Sequence, residues 1–249
     1  MTRGAVHAHL SGAMSDQNLL LARFPPDVRK RVVQRVESIS LRRGQVLFQA
    51  GAPVPHAFFP MSGCVSLESS ALSITTLALT TVGKEGLVGV SIVLREPTAP
   101  YAAVVRADGH ACRLDAKDLL SEVDRSPAFQ HTLLEYAASV FVQISQAANC
   151  ISAHNTLQRL CRWLLSVDDH LQTGAIEISQ DDLALVLGVT RRIVARHMFE
   201  LQKADAIWFA RGRLLLRNRA RLEASACECY SASGPGPRPS TRRTSSHLA

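Results

Sequence analysis

The densest chemistry in the sequence lies in Ser179-Gln-Asp-Asp-Leu-Ala-Leu-Val-Leu-Gly-Val-Thr190-Arg-Arg-Ile-Val-Ala-Arg196-His-Met-Phe-Glu-Leu201. On a helix turning about 100° per residue, Arg191, Arg192 and Arg196 fall on one side and Val194, Met198 and Leu201 on the other. Guanidinium groups near the start of such a helix can enter the DNA major groove and pair with guanine O6 and N7, so base reading is the chemistry this spacing allows. The preceding stretch has the residues needed to hold that helix in place. Ser179 is set to N-cap a first helix, with Asp182 as a short capping-box partner, Leu183 and Leu187 facing inward, and Ala184 small where the second helix crosses. Gly188 can take the left-handed conformation of a tight inter-helix turn, and Thr190 stands at the next N-cap. Beyond it, Ile207-Trp-Phe-Ala210, Arg211-Gly-Arg213 and Leu214-Leu-Leu216 read as a β-hairpin wing. Its turn arginines, Arg211 and Arg213, suit backbone phosphate.

The charge agrees with this placement. Of the 249 residues, those up to 178 are nearly neutral, residues 179 to 221 carry 9 basic against 4 acidic side chains, and three arginines follow residue 230. The net +7 therefore sits mainly on the segment that would face phosphate. With 47% hydrophobic residues the chain is neither wholly disordered nor fibrous. No apolar run approaches the roughly 20 residues that span a bilayer, and the start lacks a signal-peptide core, so a soluble cytoplasmic protein with no membrane partner is expected.

The six cysteines form no C-x-x-C pair, which fits reduced thiols. Cys227-Glu-Cys229 is the one close pair, and two ligands do not complete a metal site. His56, His110, His131 and His154 are isolated, so neither metal nor cofactor is expected. A phosphate loop, a nucleophile elbow and a catalytic carboxylate pair are all missing, and the chain is not read as an enzyme.

The elements that must position the arginines lie upstream. Residues 1–15 read as a flexible lead. Residues 16–125 form the first domain. Its short helices, opened by Asn18 and by Pro25-Pro26, precede β-type runs at 38–41, 45–48, 57–59, 64–67, 74–79, 102–105 and 111–114. Glycine and proline punctuate these runs, which predicts an antiparallel, jelly-roll-like β-barrel. Residues 126–153 have no glycine and no proline after Pro127. There Leu133, Ala137, Val140, Ile144, Ala147 and Ile151 step by 4, 3, 4, 3 and 4, a heptad seam that predicts a long helix pairing with a second copy. Leu134, Phe141 and Ala148 would widen the apolar face and pack back on the barrel. Residues 154–225 hold the winged helix-turn-helix, and residues 226–249 read as a disordered basic tail. The fold class is α+β: a sensor barrel, a long dimerisation helix and a DNA-binding head.

This order of parts, over about residues 18 to 223, resembles the Crp/Fnr family of bacterial transcription regulators. The most specific match is Ser179 through Arg196, and Leu41-Arg-Arg-Gly-Gln-Val-Leu-Phe-Gln-Ala-Gly51 and Ala57-Phe-Phe-Pro-Met-Ser-Gly63 look like the family's first strands and turns. The resemblance implies a homodimer that binds double-stranded DNA and acts with RNA polymerase. It puts Arg191 and Arg196 at base-reading positions, beside which Arg192 replaces the family's usual glutamate, and Ser179, Gln180 and Thr190 at phosphate contacts. It also locates an effector pocket at Gly89, Val90, Ser91, Tyr101 and Ala102. Cyclic-nucleotide binders of the family have a glutamate and an arginine in those segments. Here Gly89-Val90-Ser91 and Pro100-Tyr101-Ala102-Ala103 carry neither, and an uncompensated phosphate would cost several kcal/mol of desolvation. The small effector is therefore expected to be something else. The alternative reading is a small-molecule receptor module signalling mainly through protein contacts.

Overall fold

A computed structural model describes residues 17–71, 75–171 and 175–233. The predicted lead at 1–15 and most of the predicted tail, 234–249, lie outside the described residues. The chain opens with α1 (Leu19–Ala22) and α2 (Pro26–Val33). Asn18 caps α1 and is fully buried, with every polar atom of its side chain used. Its Oδ1 accepts from the amides of Leu20 and Leu21, and its Nδ2 donates to the carbonyls of Pro60 and Gly86 at 2.8 and 3.0 Å. Pro26 occupies the first turn of α2, where its missing N–H costs nothing.

Among the described residues seven strands follow: β1 (Glu37–Leu41), β2 (Val46–Phe48), β3 (His56–Pro60), β4 (Cys64–Ala71), β5 (Thr75–Val82), β6 (Ala102–Ala107) and β7 (Gly109–Asp115), with the short helix α3 (Val90–Val93) between β5 and β6. Each β-type run found in the sequence from Ser38 onward falls on one of these strands, although Gln45 precedes β2 and Ile74 is outside the described residues. They form two antiparallel sheets, ordered β1-β7-β3 and β2-β6-β4-β5, so the jelly-roll is a sandwich open at its edges. Alternation sets the inward faces: along β6, Ala103, Val105 and Ala107 are buried while their neighbours are half-exposed. Leu41, Ala57, Phe59 and Leu114 of one sheet share a core with Val65, Leu67, Val82 and Val105 of the other. Phe24 closes one end, edge-on to Phe129 at 4.6 Å and to Phe59 at 6.0 Å.

After α4 (Ala116–Arg125), the long helix α5 (Pro127–Ala153) starts at Pro127 behind the N-cap Ser126 and runs to His154, whose backbone is extended. Asn155 then begins α6 (Thr156–Asp168) with a complete capping box to Gln158, which leaves a two-residue hinge between the helices. The seam expected to face a partner lies mostly against the chain's own sandwich. Leu133, Val140 and Ala147 are at most 3% exposed within the single chain, and Ala137 and Ile144 pack against the sandwich core, leaving Ile151 as the exposed member. The physical reason is that α5 lies along β5, so the strongest apolar stripe is taken by the protein's own sheet. The face one residue on stands open instead, with Leu134 at 43%, Phe141 at 71% and Val142 at 60% exposure.

The head continues with β8 (Ala175–Glu177), α7 (Gln180–Leu187), α8 (Arg191–Lys203), β9 (Ile207–Ala210), β10 (Arg213–Leu216) and α9 (Arg219–Ser225). The strands form a third antiparallel sheet in the order β8-β10-β9. A last helix, α10 (Cys229–Ser233), corrects the start of the predicted tail: residues 226–233 are folded, because Cys227 and Cys229 are buried against the rest of the chain. Tyr230 helps to hold it, its hydroxyl donating to Asp169 at 2.9 Å beside Arg219, which also pairs with Asp168 at 2.8 Å. Among the described residues no helix is long and apolar enough to cross a membrane.

Candidate nucleic-acid interface

The two helices of the motif are set by local chemistry. Ser179 Oγ accepts from the Asp182 amide at 3.0 Å and donates to Asp182 Oδ2 at 2.8 Å, and the same carboxylate accepts from the Ser179 amide at 3.3 Å. The first turn of α7 is thereby satisfied from both directions. Gly188 ends the helix at φ +64°, a left-handed conformation that costs an L side chain about 1 to 2 kcal/mol. Thr190 does stand at the N-cap of α8, but its side chain makes no capping bond, so its hydroxyl serves no intrahelical purpose.

The two faces of α8 separate as the spacing predicts. Val194, Met198 and Leu201 are buried against Leu183, Ala184 and Leu187 of α7, while Arg191, Arg192 and Arg196 are exposed. Arg191 Nε lies 3.7 Å from Asp181 Oδ1, with both side chains 65% exposed, and a surface pair of this kind contributes little. Ser179 and Gln180 are half-buried and Thr190 is exposed at the same end of the pair. In the wing, Arg211 and Gly212 turn the chain at φ +49° and +75°, leaving Arg211 and Arg213 exposed. The outer side of α8 also carries Phe199, 68% exposed, whose place at the end of the arginine face the sequence reading left out.

Sequence reading also missed how the head is seated on the sandwich. Asp182, besides capping α7, receives two arginines from the β-domain: Arg43 Nη1 at 3.6 Å and Arg106 Nη1 at 4.0 Å. Arg43 also donates to the Glu177 carbonyl at 3.2 Å, and Arg106 is held by buried Glu68, Nε to Oε1 2.7 Å. Arg43, Arg106, Glu177 and Asp182, with Gly44 and Ile178, line a cavity of about 230 Å³ between the two domains. A second polar contact joins His170 Nδ1 to Glu85 Oε2 at 3.3 Å, nearly out of solvent. Burial pushes the Glu85 carboxyl up, but its bond and charge pairing with His170, with the Gly83 amide, outweigh this and leave it below the usual carboxylate range. Burial likewise pushes His170 down, and Glu85 with Asp169 more than offsets it, so the imidazole lies above the usual histidine range despite the opposing charge of Lys84. The contacts that bridge the two domains join residues about 75 to 140 positions apart, and no local pattern foretells that.

At the expected effector segment, Gly89, Val90, Ser91 and Tyr101 are buried and Ala102 is half-buried. None of the five carries a charge. The hydroxyls of Ser91 and Tyr101 are both buried and have no hydrogen-bond partner among the described residues, a costly arrangement that calls for a reason. Burial pushes the Tyr101 phenol up to about 12, so it remains a donor.

The fold and site define a class: a sensor-type β-sandwich joined by a long helix to a winged helix-turn-helix head. Residues 38–126 match the family model described as a cyclic nucleotide-binding domain, and residues 158–225 match that of the Crp-like helix-turn-helix domain. In this order on one chain the two matches span more than half of it, and the chain belongs to the Crp/Fnr family of transcription regulators. Solved structures agree in fold. FixK2 from Bradyrhizobium japonicum is 17% identical, with a TM-score of 0.65 over 77% of this chain and 98% of that one. A Crp/Fnr-family regulator from Eubacterium rectale is 15% identical, with a TM-score of 0.68 over 84% and 98%. The regulator CLP from Xanthomonas campestris is 15% identical, with a TM-score of 0.61 over 77% and 99%. No curated protein matches the chain.

Proposed function

We propose that this protein is a homodimeric, sequence-specific DNA-binding transcription regulator whose sandwich senses a small effector and passes the signal along α5 to the two recognition helices. The observation that carries the reading is the exposed arginine face of α8, held outward by a capped first helix and a left-handed glycine turn. Arg191, Arg192 and Arg196 read base edges. Ser179, Gln180, Thr190, Arg211 and Arg213 contact phosphate and fix the register. Because Arg192 donates where a glutamate would accept from cytosine N4, the operator carries guanine or a phosphate contact at that position.

The support for the dimer is the open apolar face of α5 around Leu134, Phe141 and Val142, which takes the place of the seam at Leu133, Ala137, Val140, Ile144, Ala147 and Ile151. Support for an effector comes from the orphaned hydroxyls of Ser91 and Tyr101, and an uncharged polar molecule suits that segment better than a phosphate ester. The protein acts in the cytoplasm, where RNA polymerase is its further partner.

The test is selection of bound DNA from a random pool, followed by footprinting of Arg191→Ala and Arg196→Ala. A palindromic consensus is expected, and each substitution should cost about 1 to 3 kcal/mol of specific binding. Unchanged footprints in both variants would overturn the assignment.

A further inference from the structure

Three cysteines that the regulator reading leaves idle meet at the far side of the hinge. Cys150 comes from the last turn of α5 and Cys227 and Cys229 from the turn into α10, and all three are buried, at 0%, 3% and 8% exposure. Their sulfurs lie within 4.8 Å of one another, with Cys150 and Cys227 only 3.5 Å apart. An ion bound by thiolates at about 2.3 Å needs sulfurs separated by about 3.8 to 4.0 Å, so small side-chain adjustments are enough to close the site.

We propose that Cys150, Cys227 and Cys229 bind one thiophilic closed-shell metal ion, zinc(II) or copper(I), which ties the end of the long helix to the C-terminal helix of the head across the His154–Asn155 hinge. Soft thiolates select ions of this class, and three sulfurs either complete a trigonal copper(I) site or leave zinc an open fourth position. Two further observations point to a ligand. The cluster has an entrance: Cys227 also lines a surface cavity of about 300 Å³ whose wall includes the carboxylates of Glu223 and Glu228. It also has waiting counter-charge, since Arg159 and Arg162 of α6 act electrostatically on the thiols, and Arg162 Nε is buried with no hydrogen-bond partner among the described residues. Binding releases one proton from each thiol and leaves three thiolates with zinc at net charge −1, or with copper(I) at −2, which the two guanidiniums offset. The hinge lies close by, with His154 Nε2 3.5 Å from the Glu228 carboxylate.

The experiment uses the full chain, reduced and metal-free, titrated anaerobically with cobalt(II) as the spectroscopic stand-in for zinc and, separately, with copper(I) held by a competing chelator. Expected is thiolate-to-cobalt charge-transfer absorption saturating at one ion per chain and bleached by zinc, or stoichiometric capture of copper(I), whichever ion the site prefers. Cys150→Ser and Cys229→Ser should each abolish uptake, and Cys112→Ser, in the sandwich, should retain it. Cys229, nearest the surface, keeps the comparison valid if the Cys150 variant fails to fold. The proposal is overturned if the reduced wild-type chain takes up neither ion, or if both cluster variants bind as the wild type does. It is equally overturned if the chain isolated without reductant carries a Cys150–Cys227 disulfide and binds no ion once reduced. Metal uptake is read on the protein alone, so the outcome is separable from that of the DNA experiment.

Discussion

Glu85 and His170 are the side chains on which pH acts at the seat of the head. Raised in the folded protein, His170 contributes stability that is full below its ordinary value of 6.5 and is lost as pH climbs through the raised one. Lowered, Glu85 contributes stability that is full above 4.5 and is lost as pH falls through its depressed value. The pair therefore acts fully between those two pH values. Against a Glu85→Gln/His170→Gln double variant, which keeps polar neutral groups in place, the wild type should gain most in thermal midpoint within that window. The gain should shrink on both sides of it. A difference that stays constant with pH would remove the ion pair from the account. At this scale the sequence was only partly legible. Arg191, Arg192 and Arg196 announce themselves because a helix period sorts them from their apolar neighbours. Arg43, Arg106, Glu85 and His170 do not, since each depends on a partner far along the chain.

Elements were easier to read. Strands and helices came from glycine punctuation and periodicity, and Pro26, Pro127, Ser179 and Gly188 stand where helices begin or end. The ambiguity was at α5: two apolar stripes one residue apart both satisfy a heptad, and periodicity cannot say which of them the sheet takes. The third dimension decides, because α5 lies along β5 and the Thr80 hydroxyl meets Gln143 at 2.6 Å. The turn between α7 and α8 offers a test of how tightly this scale is set. A methyl group added at Gly188 would have Leu77 Cδ1 at 3.6 Å as its nearest neighbour, so Gly188→Ala meets no clash and pays only for its left-handed backbone. We expect about 1 kcal/mol of destabilisation in denaturant unfolding, with the sandwich spectroscopically unaltered. No loss at all would mean that the turn relaxes freely.

At the scale of the whole molecule the proposed homodimer rests on the open face of α5. Phe141, 71% exposed in the single chain, is the largest apolar group on it. Phe141→Glu should convert a dimer to a monomer in sedimentation velocity and weaken operator binding through lost avidity rather than lost base contacts. A variant that sediments as the wild type does would move the interface elsewhere.

The head does not rest on the sandwich by charges alone. Cys64 and Ala107 of the sheet, with half-buried Ala78, belong to the same apolar cluster as Leu183, Val194 and Leu214 of the head. The boundary that looks like a linker in the sequence is thus a shared interior, and this limits how freely the protein can be recombined. A DNA-reading module grafted from a relative at the hinge would arrive with a surface shaped for another sheet. Exchange of specificity between such regulators is therefore confined to changes along the outer face of one helix, or must carry the paired ends of β4 and β6 with it.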